Sequence, residues 1–218
     1  MPELLLAGVV HGVSRLAGAG RIVQLDIEGH GREAPGGEAL DSSRTVGWFT
    51  TLYPLQVRAD VDPATTLREV RERLRAIPNG GHGYGLLRYL SPDAEAREAL
   101  ASLPRAEILF NYLGRADAVL AGSQHFHGAR GLALSRSRRE QRTHLLEAFG
   151  SIEEGRLSLQ LAYSEDAHRR STIEELAAQA LETVRTLVRE GLGPLAADFP
   201  HADLSQSELD DILREYGD

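Results

Sequence analysis

The segment Arg21-Ile22-Val23-Gln24-Leu25-Asp26-Ile27 alternates apolar and polar residues and runs directly into Glu28 and a glycine-rich string. Period-2 alternation marks a strand with one face on a core and the other turned away from it. Such a strand needs a layer to cover its apolar face, and residues 3–17 supply one. Leu4, Leu5, Val9, Val13 and Leu16 recur at helical spacing, and the pattern stops at Gly18-Ala19-Gly20. A buried helix followed by a half-buried strand is the opening of an α/β unit.

The rest of the chain continues that pattern. Residues 29–43 read as a Gly/Pro/acid loop, and Val46 to Val57 is β-rich, with Pro54 pushing the strand toward an edge or a bend. Asp62-Pro63 opens a helix that runs to about Ala76. Pro78-Asn79-Gly80-Gly81-His82-Gly83-Tyr84-Gly85 breaks the chain before short helical stretches at 85–90 and 93–102, the second with Ser91 as N-cap. Glu107 to Leu113 reads as a buried strand, and residues 114–142 as a polar stretch with short β-like pieces around 124–127 and 131–135. Strands at 143–149 and 156–163 are joined by the hairpin signal Glu153-Glu154-Gly155. Thr172 and Glu175 form a capping box for a helix at 173–190 that ends at Gly191. A loop and a small acidic helix around 205–215 close the chain, and no internal repeat divides it.

Composition narrows the function classes. The 218 residues are 42% hydrophobic and 26% charged, as in an ordinary globular domain. All 24 basic side chains are Arg, against 32 acidic ones, for a net charge of −8. This argues against sequence-independent nucleic-acid binding, which needs a basic face. The absence of Cys excludes disulfides, thiolate metal sites and cysteine nucleophiles. The first residues lack a basic n-region, and their apolar run breaks at His11, so no signal peptide is expected; no apolar run approaches the roughly 20 residues of a membrane span. A cytoplasmic protein is expected. Because Arg is not a proton-shuttling base, any general base must be His, Asp, Glu or Tyr.

Several apparent motifs fail on context. Gly29-His30-Gly31-Arg32-Glu33-Ala34 fits a dinucleotide fingerprint, but Pro35-Gly36-Gly37 prevents the helix whose N-terminus would hold the pyrophosphate. The Gly80–Gly85 loop has no Lys to complete a phosphate loop. His125-x-His127 shares a strand face without a third ligand nearby, so no metal is expected. The Arg136–Arg142 cluster reads as a solvated or acid-paired loop.

Five strings in fixed order are more specific: Glu28-Gly29-His30-Gly31-Arg32-Glu33, Arg44-Thr45-Val46-Gly47-Trp48-Phe49-Thr50, Tyr53-Pro54, Pro78 to Gly85, and Phe110-Asn111-Tyr112-Leu113-Gly114-Arg115. With Leu4-Leu5-Leu6-Ala7 before them, they resemble the C-terminal half of a nonribosomal peptide synthetase epimerization domain, a branch of the condensation-domain superfamily. Peptide-bond-forming members resemble it less: they generally lack the Glu28–Glu33 string and carry Phe and Asn in place of Trp48 and Thr50. The resemblance implies an α/β, chloramphenicol-acetyltransferase-like lobe, with a mixed central sheet flanked by helices, over residues 1–193, and an exit linker over 194–218. In that family two such lobes enclose a tunnel entered by the phosphopantetheine arm of a peptidyl carrier protein. The other, N-terminal lobe carries a His-His-x-x-x-Asp-Gly motif, which this chain lacks.

The implied reaction is L-to-D inversion at Cα of an aminoacyl or peptidyl thioester. No cofactor is bound directly, and the phosphopantetheine arm serves as tether. Glu28 matches the family's proposed acid/base, and Asn111 and Tyr112 match polar site positions. Gly29, His30, Gly31 and Trp48 lie where the substrate arm would pass. Each residue also has a structural reading: Glu28 paired with Arg32 or Arg44, Tyr112 as a core tyrosine, Trp48 and Phe49 as packing residues, His30 as a loop residue. A lobe built to face another should expose an apolar flank and self-associate. Inactive alternatives are a carrier-binding or scaffold lobe, and a further one is a peptide-bond-forming lobe.

Overall fold

The computed structural model describes residues 1–18, 20–32, 41–42, 44–115, 141–153 and 155–192. Within them the elements follow in the order α1 (Pro2–Ala17), β1 (Ile22–Gly29), β2 (Thr51–Arg58), α2 (Pro63–Arg75), α3 (His82–Gly85), α4 (Ala94–Ser102), β3 (Ile108–Arg115), β4 (Leu146–Glu153), β5 (Arg156–Tyr163) and α5 (Arg170–Arg189). The strands form one five-stranded sheet in the order β2-β1-β3-β4-β5. Its centre, β1-β3-β4, is parallel, and the two outer pairs are antiparallel. β2 is an edge strand, which accommodates Pro54 without loss of an interior ladder bond.

The alternation in β1 is realised as two unlike faces. Val23, Leu25 and Ile27 join Leu55 and Val57 of β2, Phe110 of β3 and Ala148 of β4 in one core with α1, α2 and α5. Gln24, Asp26 and Glu28 point the other way, alongside Leu52, Pro54 and Gln56, their partners across the ladder. α1 is the central helix of the covering layer, and its residues from Leu4 through Gly12 are buried without interruption. Two glycines let α5 reach it. A Cβ at Gly8 would lie 2.6 Å from the Ala180 carbonyl oxygen, and one at Gly12 would lie 2.9 Å from Leu176 Cδ1.

The helix starts differ from the sequence reading in two places. Asp93, not Ser91, caps α4: its carboxylate accepts from the amides of Glu95 and Ala96, while the Ser91 hydroxyl accepts from the Asp93 amide one step upstream. α5 begins at Arg170, with Arg169 at the N-cap and no side-chain cap, so Thr172 already lies inside the helix and no capping box forms. A third difference is that β2 begins at Thr51 and not near Val46. Gly29 is the last β1 residue to pair, with Thr51, and Gly31 turns away at φ +61°, leaving residues 44–50 without a strand to bond to. The β-like pieces expected at 124–127 and 131–135, and the linker expected at 194–218, lie outside the described residues.

Two expected outcomes test this packing. Gly8→Ala forces α1 and α5 apart and should cost about 1–3 kcal/mol, the range for overpacking a tight contact. It should appear as a lower urea midpoint, and an unchanged midpoint would contradict the crossing described. The second concerns His11, 4% exposed on α1. Burial and then Arg15 hold its pKa below the ordinary imidazole value, against opposing contributions from Asp60 and Asp62. The unfolded chain therefore takes up a proton near pH ~6.5 that the folded chain resists, and stability is lost as the pH falls through that window. His11→Gln should flatten this part of the stability profile; an identical slope in the variant would rule His11 out as its source.

Candidate functional site

Glu28 is the penultimate residue of β1, at the end toward which the parallel strands run. Its neighbour in the parallel ladder is Asn111 of β3. Side chains of ladder partners share a face, and the Asn111 amide donates a hydrogen bond to Glu28 Oε2. The carboxylate is half-buried. Arg32, one of the two partners a purely structural reading gives it, is engaged elsewhere. Its Nη1 donates to the carbonyls of Ser42 (2.7 Å) and Thr45 (3.3 Å), and the guanidinium lies 4.4 Å from the centre of the Phe49 ring. Among the described residues Glu28 forms no ion pair.

The loop after Glu28 is held in place by the Pro78–Gly85 segment. His82 bridges the two strings, with Nδ1 2.7 Å from the Asn79 carbonyl and Nε2 3.2 Å from the Gly31 carbonyl. Thr51 Oγ1 donates to the Gly80 carbonyl at 3.3 Å. Gly31 is required here: beyond its positive φ, a Cβ would fall 1.6 Å from the Phe49 carbonyl oxygen. The glycines therefore set the path of the backbone beside Glu28, and His82 anchors it.

The remaining site candidates are distributed differently. Tyr112 follows Asn111, so strand alternation turns its side chain to the opposite face, where it packs against the α1 core and near Gly150. Burial raises its phenol pKa, with Arg115 opposing and Glu3 reinforcing the shift. It is a core tyrosine in this geometry, apart from Glu28 and Asn111. His30 is exposed at the loop start. Trp48 is 89% exposed and Val46 fully so, which corrects the packing role expected of Trp48: the chain has already left the sheet there. His125 and His127 lie outside the described residues.

Sequence reading missed a second polar pair on the same face. His144, only 8% exposed, places Nε2 2.9 Å from Asp26 Oδ2, with Nδ1 3.2 Å from Thr143 Oγ1. Asp26 precedes Glu28 by two residues on β1, and His144 reaches it from just before β4. A pairing across 118 residues leaves no local signal in the sequence. Glu147, 1% exposed on β4, lies 3.9 Å from Arg142 Nη1 on this side of the sheet. Among the described residues no group of three or more His, Asp or Glu could hold a metal ion, and no helix is long and apolar enough to cross a membrane.

Residues 1–205 match the family model of the Condensation domain. The chain belongs to the condensation-domain family. Within that family it is 41% identical over 223 aligned residues to a linear gramicidin synthase of Brevibacillus parabrevis, covering 97% of this chain and 3% of that protein. It is 40% identical over 199 residues to chondramide synthase cmdD of Chondromyces crocatus, covering 88% of this chain and 5% of that one. The chain thus spans a small fraction of the curated relatives it matches. Among solved structures, the epimerization domain from the third module of tyrocidine synthetase B superposes with a TM-score of 0.72 at 31% identity, over 87% of this chain and 42% of that one. The X-domain from teicoplanin biosynthesis shares the fold, at a TM-score of 0.55 and 15% identity. The mixed sheet with its helical cover is the condensation-domain fold.

Proposed function

We propose that this chain forms one wall of an epimerization site in a nonribosomal peptide synthetase, inverting Cα of an acyl group held as a thioester on a carrier protein's phosphopantetheine arm. The observation that carries this reading is the Glu28–Asn111 pair: a half-buried carboxylate at a strand end, oriented by an amide from the next strand and engaged in no ion pair among the described residues. The likeness to the tyrocidine synthetase epimerization domain, at 31% identity, supports it over peptide-bond formation.

The chemistry follows from the positions. A thioester carbonyl acidifies the neighbouring Cα–H. Glu28 accepts that proton on one face, and the electron pair passes into the enolate. Asn111 fixes the carboxylate oxygen it bonds, leaving the other oxygen for the proton. A proton then returns to Cα from the opposite face, from a group outside this chain, and the carbonyl re-forms with inverted configuration. Glu28 loses its proton to solvent before the next cycle. The exposed Val46 and Trp48 fit the flank that meets the rest of such a domain.

In an assembled domain with a loaded carrier protein in deuterium oxide, Glu28→Gln should reduce Cα exchange by about 10²–10⁴-fold, the range for losing a general acid/base. Exchange equal to that of the wild type would remove Glu28 from the mechanism.

A further inference from the structure

The ring of His144 is held between a carboxylate and a hydroxyl. Its Nε2 lies 2.9 Å from Asp26 Oδ2, and its Nδ1 lies 3.2 Å from Thr143 Oγ1. A carboxylate only accepts, so in the neutral imidazole the hydrogen sits on Nε2 and Nδ1 keeps its lone pair. The Thr143 hydroxyl then donates to Nδ1. Carboxylate, imidazole and hydroxyl thus stand in line, with the imidazole in the tautomer that can take the hydroxyl proton.

Exposure rises along that line in the direction nucleophilic chemistry requires. His144 is buried and Asp26 half-buried, whereas Thr143 is an exposed residue on the irregular stretch before β4. All three line a cleft of about 670 Å³. Leu52, Pro54, Ile77 and Pro104 give it apolar surface, and Asp26, the only carboxylate in its lining, is already engaged by His144. An uncharged acyl group suits such a lining, and a cationic one finds no free acid. Among the cleft's guanidinium groups, Arg73 is held by Glu69 and Arg88 donates to the Leu100 carbonyl. Arg105 pairs with no acid among the described residues, so its charge is available to a carbonyl oxygen that becomes an oxyanion. Tying β1 to the approach of β4 needs the Asp26–His144 bond alone; it does not need an exposed hydroxyl on the ring's other nitrogen.

We propose that Thr143, His144 and Asp26 form a second catalytic site, apart from Glu28, that hydrolyses carboxylic esters of uncharged acyl groups. Thr143 Oγ1 attacks the ester carbonyl while His144 Nδ1 takes its proton. The bond from the carbonyl carbon to the alcohol oxygen breaks, and His144 returns the proton to that oxygen. Water then attacks the acyl-threonine and passes a proton to His144. The acyl–threonine bond breaks, the acid leaves, and the proton goes back to Thr143 Oγ1. Ester and water become acid and alcohol. Asp26 is a positioning residue, which orients the ring and stabilises the imidazolium.

The test follows release of p-nitrophenolate from p-nitrophenyl butyrate by the full chain. Thr143→Val, at an exposed position, should lower kcat/KM by about 10²-fold or more, and His144→Gln should fall as far. Thr143→Ser keeps the hydroxyl and should retain most of the rate. Asp26→Asn should lower kcat at unchanged KM, because the imidazolium loses its charge partner. After rapid acid quenching, mass spectrometry should find the butyryl group on Thr143. No turnover, equal rates in wild type and Thr143→Val, or a butyryl group on another residue would overturn the proposal. An Asp26→Asn variant with a lower urea midpoint and unchanged kcat would overturn the part given to Asp26.

Discussion

The parallel ladder between β1 and β3 sets Leu25 against Ile108 and Glu28 against Asn111, and the contact at the centre of the candidate site follows from that register. Side chains alternate between faces with a period of two, so a slip of one residue would send Glu28 into the α1 core and bring Leu25 and Ile27 out. Burial of Val23, Leu25 and Ile27 makes that slip costly, at about 1.5–3 kcal/mol for each large apolar side chain left in water. The hydrophobic effect thus fixes, indirectly, which amide meets which carboxylate.

The covering layer makes a sheet with one open face feasible. α1 is buried along most of its length between the sheet, α2 and α5, and Gly8 and Gly12 bring α5 close enough to complete the layer. The helical cover over β1 and β2 is then on one side, whereas β4 is buried on both, with Glu147 1% and Phe149 8% exposed on the Asn111 face. The other side is free to carry Asp26, Glu28 and Asn111, together with a cleft whose walls come from the loosely packed α3–α4 segment, where α4 has no buried residue.

Much of this was legible in the sequence because it is local. The helical spacing of Leu4, Leu5 and Val9 and the alternation of residues 23–27 state which faces are buried, and those residues are buried as read, whereas Leu16 and Ile22, read with them, are 39% and 54% exposed. Glu28 and Asn111 were singled out together by resemblance to a family, and the ladder brings them into contact. Alternation applied to Asn111 and Tyr112 already implies opposite faces, which motif matching alone obscures. The missing information was long-range or competitive. The Asp26–His144 pair depends on how β4 enters the sheet, and the Ser91/Asp93 cap depends on two neighbouring residues competing for the same role. The start of β2 depends on where Gly31 turns the preceding chain away.

The central claim is that Glu28 and Asn111 act as one unit because the ladder joins them. A double-mutant cycle on Cα exchange in the assembled domain tests it, with Glu28→Gln, Asn111→Ala and the pair compared under identical carrier loading. If Asn111 works by holding the Glu28 carboxylate, the double variant should be no slower than Glu28→Gln alone. Losses that multiply, each substitution acting in full on the background of the other, would show two independent groups and contradict the account.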